Sequence, residues 1–187
     1  LEKEEYQDYT HIWVLDDFED NRKQIEKYEK YPNVRFVKYK SKEYCKDLAT
    51  VKYLVNNVSF PSYFLKREGQ VLIDTWHGTP LKNMGFDIPG ANISQGNTAR
   101  NLLSADYIVS SGPYMTETAY KNSYKMQNLY EGTILEEGFP RNDKLFENNR
   151  AEIIRKLQSY GVNAEADKKI ILYAPTWRGE QYSQPDT

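Results

Sequence analysis

The stretch Val71-Leu72-Ile73-Asp74-Thr75-Trp76-His77-Gly78-Thr79-Pro80-Leu81-Lys82 decides how this chain is read. A short apolar run that passes straight into a polar loop is the pattern of a buried parallel strand, and an α/β sheet places its ligand chemistry at the carboxyl end of such a strand. The loop suits that task. Gly78 lets backbone approach a ligand closely, Pro80 can occupy the first turn of a helix, and Thr79 before it can cap that helix and leave amide donors facing outward. A helix start of this kind attracts anions. His77 brings a side chain able to exchange a proton near neutral pH, and Lys82 adds a mobile positive charge in the following turn.

Working back from this stretch, the segment from Val58 to Phe64 is aromatic and apolar, is broken by Pro61, and reaches the strand through the turn Arg67-Glu68-Gly69-Gln70. Earlier still, Ile12-Trp13-Val14-Leu15 reads as a buried strand closed by Asp16-Asp17, residues 21–31 as a short polar helix stopped by Pro32, and Val34-Arg35-Phe36-Val37 as a second strand. Ser41 is placed to cap a helix from Lys42 to about Leu54, with Tyr44, Leu48, Val51 and Val55 at helical spacing. Residues 1–10 show no clear periodicity. Strand and helix alternate, which predicts parallel strands joined by right-handed crossovers.

Working forward, residues 85–96 are rich in Gly, Asn and Ser and long for a simple connection, so they read either as a flap over the site or as a surface excursion. Residues 99–103 are helical. Tyr107-Ile108-Val109-Ser110 is a strand that ends in Ser111-Gly112-Pro113, and Pro113 opens a helix to about Tyr120. Residues 125–134 lead to the loop Gly138-Phe139-Pro140-Arg141-Asn142-Asp143. A charged amphipathic helix from Asn148 to Tyr160, with Ile153, Ile154 and Leu157 on one face, ends at Gly161. Residues 163–169 are polar and linker-like. Ile170-Ile171-Leu172-Tyr173 then restarts the strand pattern and delivers Ala174-Pro175-Thr176-Trp177-Arg178, which puts a domain boundary near residue 165 and assigns 1–165 and 166–187 to different domains.

Composition narrows the classes of function. A net charge of −2 and a pI near 5.8 argue against a general nucleic-acid binder. Hydrophobic residues make up 39% of the 187, and the 16 tyrosines must supply much of the core area. Cys45 is the one cysteine, so no internal disulfide forms, and with only His11 and His77 as histidines there is no Cys/His set for structural zinc. No signal peptide and no apolar run long enough for a bilayer appears in a sequence that lacks an initiating Met, which reads as a piece of a cytosolic protein.

Three loops share one grammar: an apolar strand, then Pro or Gly beside a polar residue, with an imidazole or a cation. They carry His77, Arg141 and Arg178. Each admits a plainer reading. His77 can be a hydrogen-bonded structural residue, Arg141 can pin its own turn by pairing with Asp143, and Trp177-Arg178 can be a stacking pair between domains. Convergence favours the functional reading, because loops at the carboxyl ends of parallel strands gather along one sheet edge, and cations facing an imidazole there make a phosphate site.

At these residues the chain resembles a known family. Thr75-Trp76-His77-Gly78-Thr79-Pro80-Leu81-Lys82, followed in order by Gly138-Phe139-Pro140-Arg141-Asn142-Asp143 and Tyr173-Ala174-Pro175-Thr176-Trp177-Arg178, is similar to the CDP-glycerol glycerophosphotransferases, the teichoic acid primases and polymerases of Gram-positive bacteria. The eight-residue block is specific, the other two support it by order and spacing, and Asn56, Phe60-Pro61 and Gln70 extend the likeness over residues 50–179. The resemblance implies a GT-B arrangement of two Rossmann-like domains, the first on the acceptor side with His77, the second entered at Ile170 and holding most CDP-glycerol contacts with a second histidine motif. The sequence stops at Thr187, before that motif. It therefore corresponds to the first half of such an enzyme, and turnover by this chain alone is not expected.

The reaction so implied is phosphoryl transfer: a terminal hydroxyl of a lipid-linked poly(glycerol phosphate) acceptor attacks the β-phosphate of CDP-glycerol and CMP leaves. Such chemistry needs a base at the incoming hydroxyl and fixed positive charge or amide donors around the phosphoryl oxygens. By resemblance the base is His77, the donors are the backbone at Gly78 and Thr79, and the charges are Arg141, Lys82 and Arg178. Trp76, Pro80, Thr176 and Trp177 match positions lining the donor pocket. No cofactor or protein metal site is implied beyond magnesium carried with the substrate. The expected setting is peripheral, at the cytoplasmic face of the plasma membrane, without nucleic acid. A CDP-ribitol or nucleotide-sugar transferase on the same fold, and a non-catalytic acceptor-binding module, stay open as alternatives.

Overall fold

The computed structural model describes residues 3–90, 95–147, 149–165 and 167–174. It falls into two compact units, Leu1–Arg141 and Asn142–Thr187. The first unit is α/β with parallel pairing throughout. Strand β1 (His11–Leu15) pairs with β2 (Val34–Lys38) around helix α1 (Arg22–Tyr28). A second ladder runs in the order β3 (Tyr53–Asn56), β4 (Val71–Asp74), β5 (Tyr107–Val109), β6 (Thr133–Leu135). The parallel α/β class expected from the alternation is the one observed. The single sheet is instead divided: among the described residues no ladder hydrogen bonds join β1 to β3.

Helix α2 (Lys42–Thr50) begins where expected, with the Ser41 hydroxyl accepting from the Tyr44 amide at 3.1 Å. It ends four residues before Leu54, and the reason is tertiary. The Gln70 side-chain amide donates to the carbonyls of Leu48 and Val51 at 2.9 and 2.8 Å, satisfying groups that a helix end leaves unpaired, and the Val71 amide then bonds the Lys52 carbonyl. The chain beyond Val51 is thereby drawn into the β3–β4 ladder as a strand. Strand β6 was also not read in the sequence, because its three residues acquire an identity only by pairing with β5.

Register sorts the side chains. Leu54 faces Leu72, and Asn56, Asp74, Ile108 and Ile134 form one row across the sheet, on the face that holds the core. Over it lie helix α3 (Gly96–Ser104) and a π-helix, Met115–Ser123, whose Met115, Ala119 and Tyr120 are buried. The Tyr120 hydroxyl donates to the Val109 carbonyl at 2.8 Å, tying the π-helix to β5. Between β3 and β4, the connection is held by α3 and the turn after it: Asn101 accepts from the Phe60 amide at 2.9 Å and donates to its carbonyl, Arg100 donates to the carbonyl of Phe64, and Asp106, just past the helix, pairs with Lys66 at 2.6 Å.

The second unit contains helix α4 (Arg150–Ser159), which buries Ile154 and leaves Ile153 half-exposed. Gly161, at φ +78°, ends it in the left-handed conformation that glycine tolerates best. Residues 170–173, expected as a strand, join no ladder among the described residues, and Ile171, Leu172 and Tyr173 are 84–91% exposed. A strand is made by its neighbours, and apolar β-formers without a paired edge stay extended and unladdered. Pro175 and all that follow it lie outside the described residues. No helix of the described residues is long and apolar enough to cross a membrane.

The loop after β4 is anchored at its far end by a close approach that only glycine permits. Gly85 has φ +56°, and a Cβ there would meet the Ser123 carbonyl oxygen at 2.6 Å and its carbon at 2.9 Å, while the Ser123 hydroxyl donates to Asp87 at 2.6 Å. Backbone cannot move aside as a side chain can. Gly85→Ala should therefore cost about 2–4 kcal/mol and lower the melting temperature by several degrees in calorimetry; an unchanged Tm would show that this anchor is not part of the folded state.

Candidate active site

The site is assembled from the carboxyl ends of β3, β4, β5 and β6. Asp74, the last residue of β4, is 2% exposed, and its carboxylate accepts the Trp76 amide hydrogen at 2.8 Å. That bond turns the chain sharply, because Trp76 sits at φ +50°, a conformation costly for a bulky residue and sustained only by its surroundings. The indole supplies them. It is 4% exposed and meets Tyr120 and Tyr124 edge-on at 6.2 and 5.7 Å between ring centres. His77 stacks on the outer face of this indole at 4.5 Å and is exposed.

A second contact fixes the imidazole chemically. Its Nδ1 lies 2.7 Å from the Asn57 carbonyl oxygen, and since a carbonyl can only accept, Nδ1 carries the hydrogen. In the neutral imidazole this tautomer puts the lone pair on Nε2, the atom a general base would use. The Asn57 carbonyl is itself held: the Asn56 side chain accepts from the Asn57 and Val58 amides at 2.8 and 3.3 Å, an Asx turn closing β3.

Beyond His77 the expected helix does not form. Residues 79–84 are irregular, and the Thr79 hydroxyl, instead of capping a local turn, bonds the Ser111 hydroxyl at 2.7 Å. This cross-loop bond and the backbone at Gly78 close the loop against its neighbours. A Cβ at Gly78 would lie 3.2 Å from a terminal guanidinium nitrogen of Arg141, so the cation rests directly over this glycine. Arg141 is delivered by a loop whose Gly138 amide donates to the Ser110 carbonyl at 3.0 Å and whose Phe139 is buried. The alternative pairing of Arg141 with Asp143 is not formed among the described residues; the ion pair in that turn is Lys144 with Glu147, at 2.6 Å.

The structure thus brings Trp76, His77, Gly78, Thr79 and Arg141 together. Pro80 is half-buried and Lys82 exposed further along the same loop. Trp76 belongs to the core and carries the imidazole on its face. Thr176, Trp177 and Arg178 lie outside the described residues. Three participants escaped the sequence reading. Ser111 follows the strand-then-Gly/Pro grammar but has no charge to mark it, Asn57 contributes a backbone carbonyl that no side-chain pattern reveals, and Asp74 shows its part only through burial and its bond from the Trp76 amide. Among the described residues no cluster of three or more His, Cys, Asp or Glu is placed to hold a metal ion.

Burial pushes the Asp74 carboxyl up to about 7, against a smaller downward pull from the Trp76 amide. Between roughly pH 4 and that value, the folded chain holds a proton here that the unfolded chain has released, so the group's contribution to stability is greatest at the acid end and falls as pH rises. Asp74→Asn keeps an oxygen acceptor and cannot ionise. Its Tm should exceed that of the parent at pH 8 and converge with it towards pH 4; parallel Tm curves across this range would contradict the assignment.

The sequence profile described as CDP-glycerol:poly(glycerophosphate) glycerophosphotransferase matches residues 1–186. The teichoic acid poly(glycerol phosphate) polymerase of Bacillus spizizenii is 34% identical over 192 residues, covering 96% of this chain and 44% of that protein. The protein of the same name from Staphylococcus epidermidis is 34% identical over 185 residues, covering 95% of this chain and 24% of its own length. Among solved structures, a variant of the wall teichoic acid polymerase TagF superposes with a TM-score of 0.69 at 31% identity, over 94% of this chain and 42% of that one. The chain spans less than half the length of each of these relatives. With the match running almost from end to end, the chain belongs to the CDP-glycerol:poly(glycerophosphate) glycerophosphotransferase family.

Proposed function

We propose that this chain supplies the acceptor-side catalytic half of a glycerophosphotransferase that moves glycerol phosphate from CDP-glycerol to a lipid-linked poly(glycerol phosphate) acceptor in teichoic acid synthesis. In the same reading, residues 1–165 belong to the first domain of a GT-B enzyme and residues 166–187 open the second, with the whole protein working peripherally at the cytoplasmic membrane face. The observation that carries the proposal is the tautomer of His77. Its Nδ1 hydrogen is committed to the Asn57 carbonyl, which leaves Nε2 to act as the base, and the Arg141 guanidinium rests over Gly78, the next residue in the chain.

Nε2 takes the proton of the acceptor's terminal hydroxyl as that oxygen bonds to the β-phosphorus of CDP-glycerol. The bond from this phosphorus to the bridging oxygen breaks, and CMP leaves with the electron pair. Arg141 and the amide and hydroxyl groups of Gly78, Thr79 and Ser111 answer the charge on the phosphoryl oxygens, with Lys82 and Arg178 as further cations on the donor side. Pro80, Thr176 and Trp177 shape the donor pocket, and Trp76 holds the imidazole. Magnesium carried with the substrate would share the charge on the phosphates.

The test is CMP release from CDP-glycerol by the complete protein, with and without a glycerol phosphate acceptor and with CDP-ribitol in a parallel arm. His77→Ala and His77→Gln should each lower the rate by about 10²–10⁴-fold while donor binding persists, as loss of a base does; retention of most of the rate would remove His77 from the mechanism. Arg141→Lys should weaken donor binding or turnover, since a point charge does not reproduce the planar fork. Equal kinetics for Lys and Arg at this position would leave the guanidinium without a phosphate to hold.

A further inference from the structure

Strands β3 and β4 end on the same rung, where Asn56 faces Asp74, and both end with the same device. The Asp74 carboxylate accepts the Trp76 amide hydrogen at 2.8 Å, and the Asn56 side-chain oxygen accepts from the amides of Asn57 at 2.8 Å and Val58 at 3.3 Å. Each carries a bond from a short side chain to the backbone two residues on, the local turn by which Asn and Asp redirect a chain. The Asp74 turn places His77. The Asn56 turn places the carbonyl oxygen that His77 Nδ1 meets at 2.7 Å.

The direction of that carbonyl is not one a strand supplies. The carbonyls of Lys52 and Asn56 face β4, accepting from the amides of Val71 and Thr75 at 2.8 Å each. Carbonyls alternate in direction along a strand, so β3 continued by one residue would aim the Asn57 oxygen away from β4. It meets instead a side chain of the loop that leaves β4. The chain bends at Asn57 and Val58 to achieve this, and the Asn56 side chain holds the bend. Among the described residues, the next side-chain hold on this connection is that of Asn101, further along at Phe60.

We infer that Asn56 is a positioning residue for the transfer reaction: its side chain turns the Asn57 peptide toward His77 and so keeps the imidazole hydrogen on Nδ1 and the lone pair on Nε2. The inference rests on the reading of His77 as the base and adds to it the residue that fixes its tautomer. The nitrogen that carries the hydrogen is set by the bond the ring makes, and for the exposed His77 the Asn57 carbonyl is the hydrogen-bond partner found among the described residues. Asn56 touches no substrate in this role. With the turn lost, the hydrogen is free to sit on either nitrogen, and a ring that carries it on Nε2 has no base to offer there.

Long-range proton-nitrogen NMR reads the tautomer directly, and this chain has only His11 and His77 to distinguish. With the ring neutral, the parent should show His77 with its hydrogen on Nδ1 alone. Asn56→Gln keeps the amide but carries it one methylene too far to close the turn, and Asn56→Ala removes it, so both should give a mixture of tautomers. In the complete protein both should lower kcat for CMP release roughly 10- to 100-fold with KM held within about twofold, a smaller loss than removal of the base itself. Asn56→Asp keeps an oxygen at the same reach and should restore the single tautomer and most of kcat. A hydrogen still confined to Nδ1 in the folded Asn56→Gln protein, or Asp serving no better than Ala, would overturn the inference. Lack of CMP release by the unaltered complete enzyme would instead remove the phosphotransfer reading, a separate failure measured by a separate assay.

Discussion

The hydrogen bond from the Trp76 amide to the Asp74 carboxylate, 2.8 Å long and sealed from solvent, is the constraint on which the site depends. A strand left to itself would carry His77 onward in the direction of β4. The bond instead bends the chain at its second residue beyond the strand, into a backbone region that a tryptophan adopts only under compulsion. Packing of the indole against Tyr120 and Tyr124 offsets that strain, so the conformation is held from both ends, by a buried acceptor and by aromatic area. The imidazole inherits its position from a buried ring instead of from a mobile loop. This is preorganisation in a literal sense, since little remains to be ordered when a substrate arrives.

A second line of support reaches the same imidazole from the opposite direction. Helix α3 uses Asn101 and Arg100 to hold the connection between β3 and β4, and an Asx turn at Asn56 closes its start. The carbonyl that selects the His77 tautomer is the product of those contacts. Neither Asn101 nor Arg100 approaches the chemistry, yet both define where the Asn57 oxygen lies. The cost of burying Asn101 is met by its full set of bonds to Phe60 and Asn97.

Charge is distributed unevenly around the base. Arg141 and the hydroxyls of Thr79 and Ser111 gather at Gly78, while Asn57, which holds the imidazole, borders a separate crevice whose one carboxylate is Asp16 and which no Lys or Arg lines. The first surface comes from the ends of β4 to β6 and the second mainly from the ends of β1 and β3, with Thr75 after β4 shared at the border, so the polarity follows strand order. A net charge of −2 over the whole chain gives no hint of this arrangement. What matters for a ligand is the local field at a sheet edge, not the sum.

The sequence by itself determined the elements whose cause is local or periodic. The apolar runs at residues 12–15, 34–37, 71–73 and 107–109, the Ser41 cap, the Pro113 helix start and the Gly161 stop all follow from side-chain spacing and backbone preference, and the block around His77 could be singled out because its residue types are unusual together. Tertiary structure alone decided what depends on a distant partner. Gln70 ended α2 and made residues 53–56 a strand, pairing with β5 created β6, and Ser111 took the Thr79 hydroxyl that a helix cap would have used. Ile170 to Tyr173 show the converse, strand-forming residues that join no ladder. The tautomer of His77 and the division of the sheet are of the same kind, for a backbone carbonyl and an unmade ladder leave no mark in side-chain identity. A sequence records propensities residue by residue, and hydrogen bonds between residues far apart in the chain choose among them.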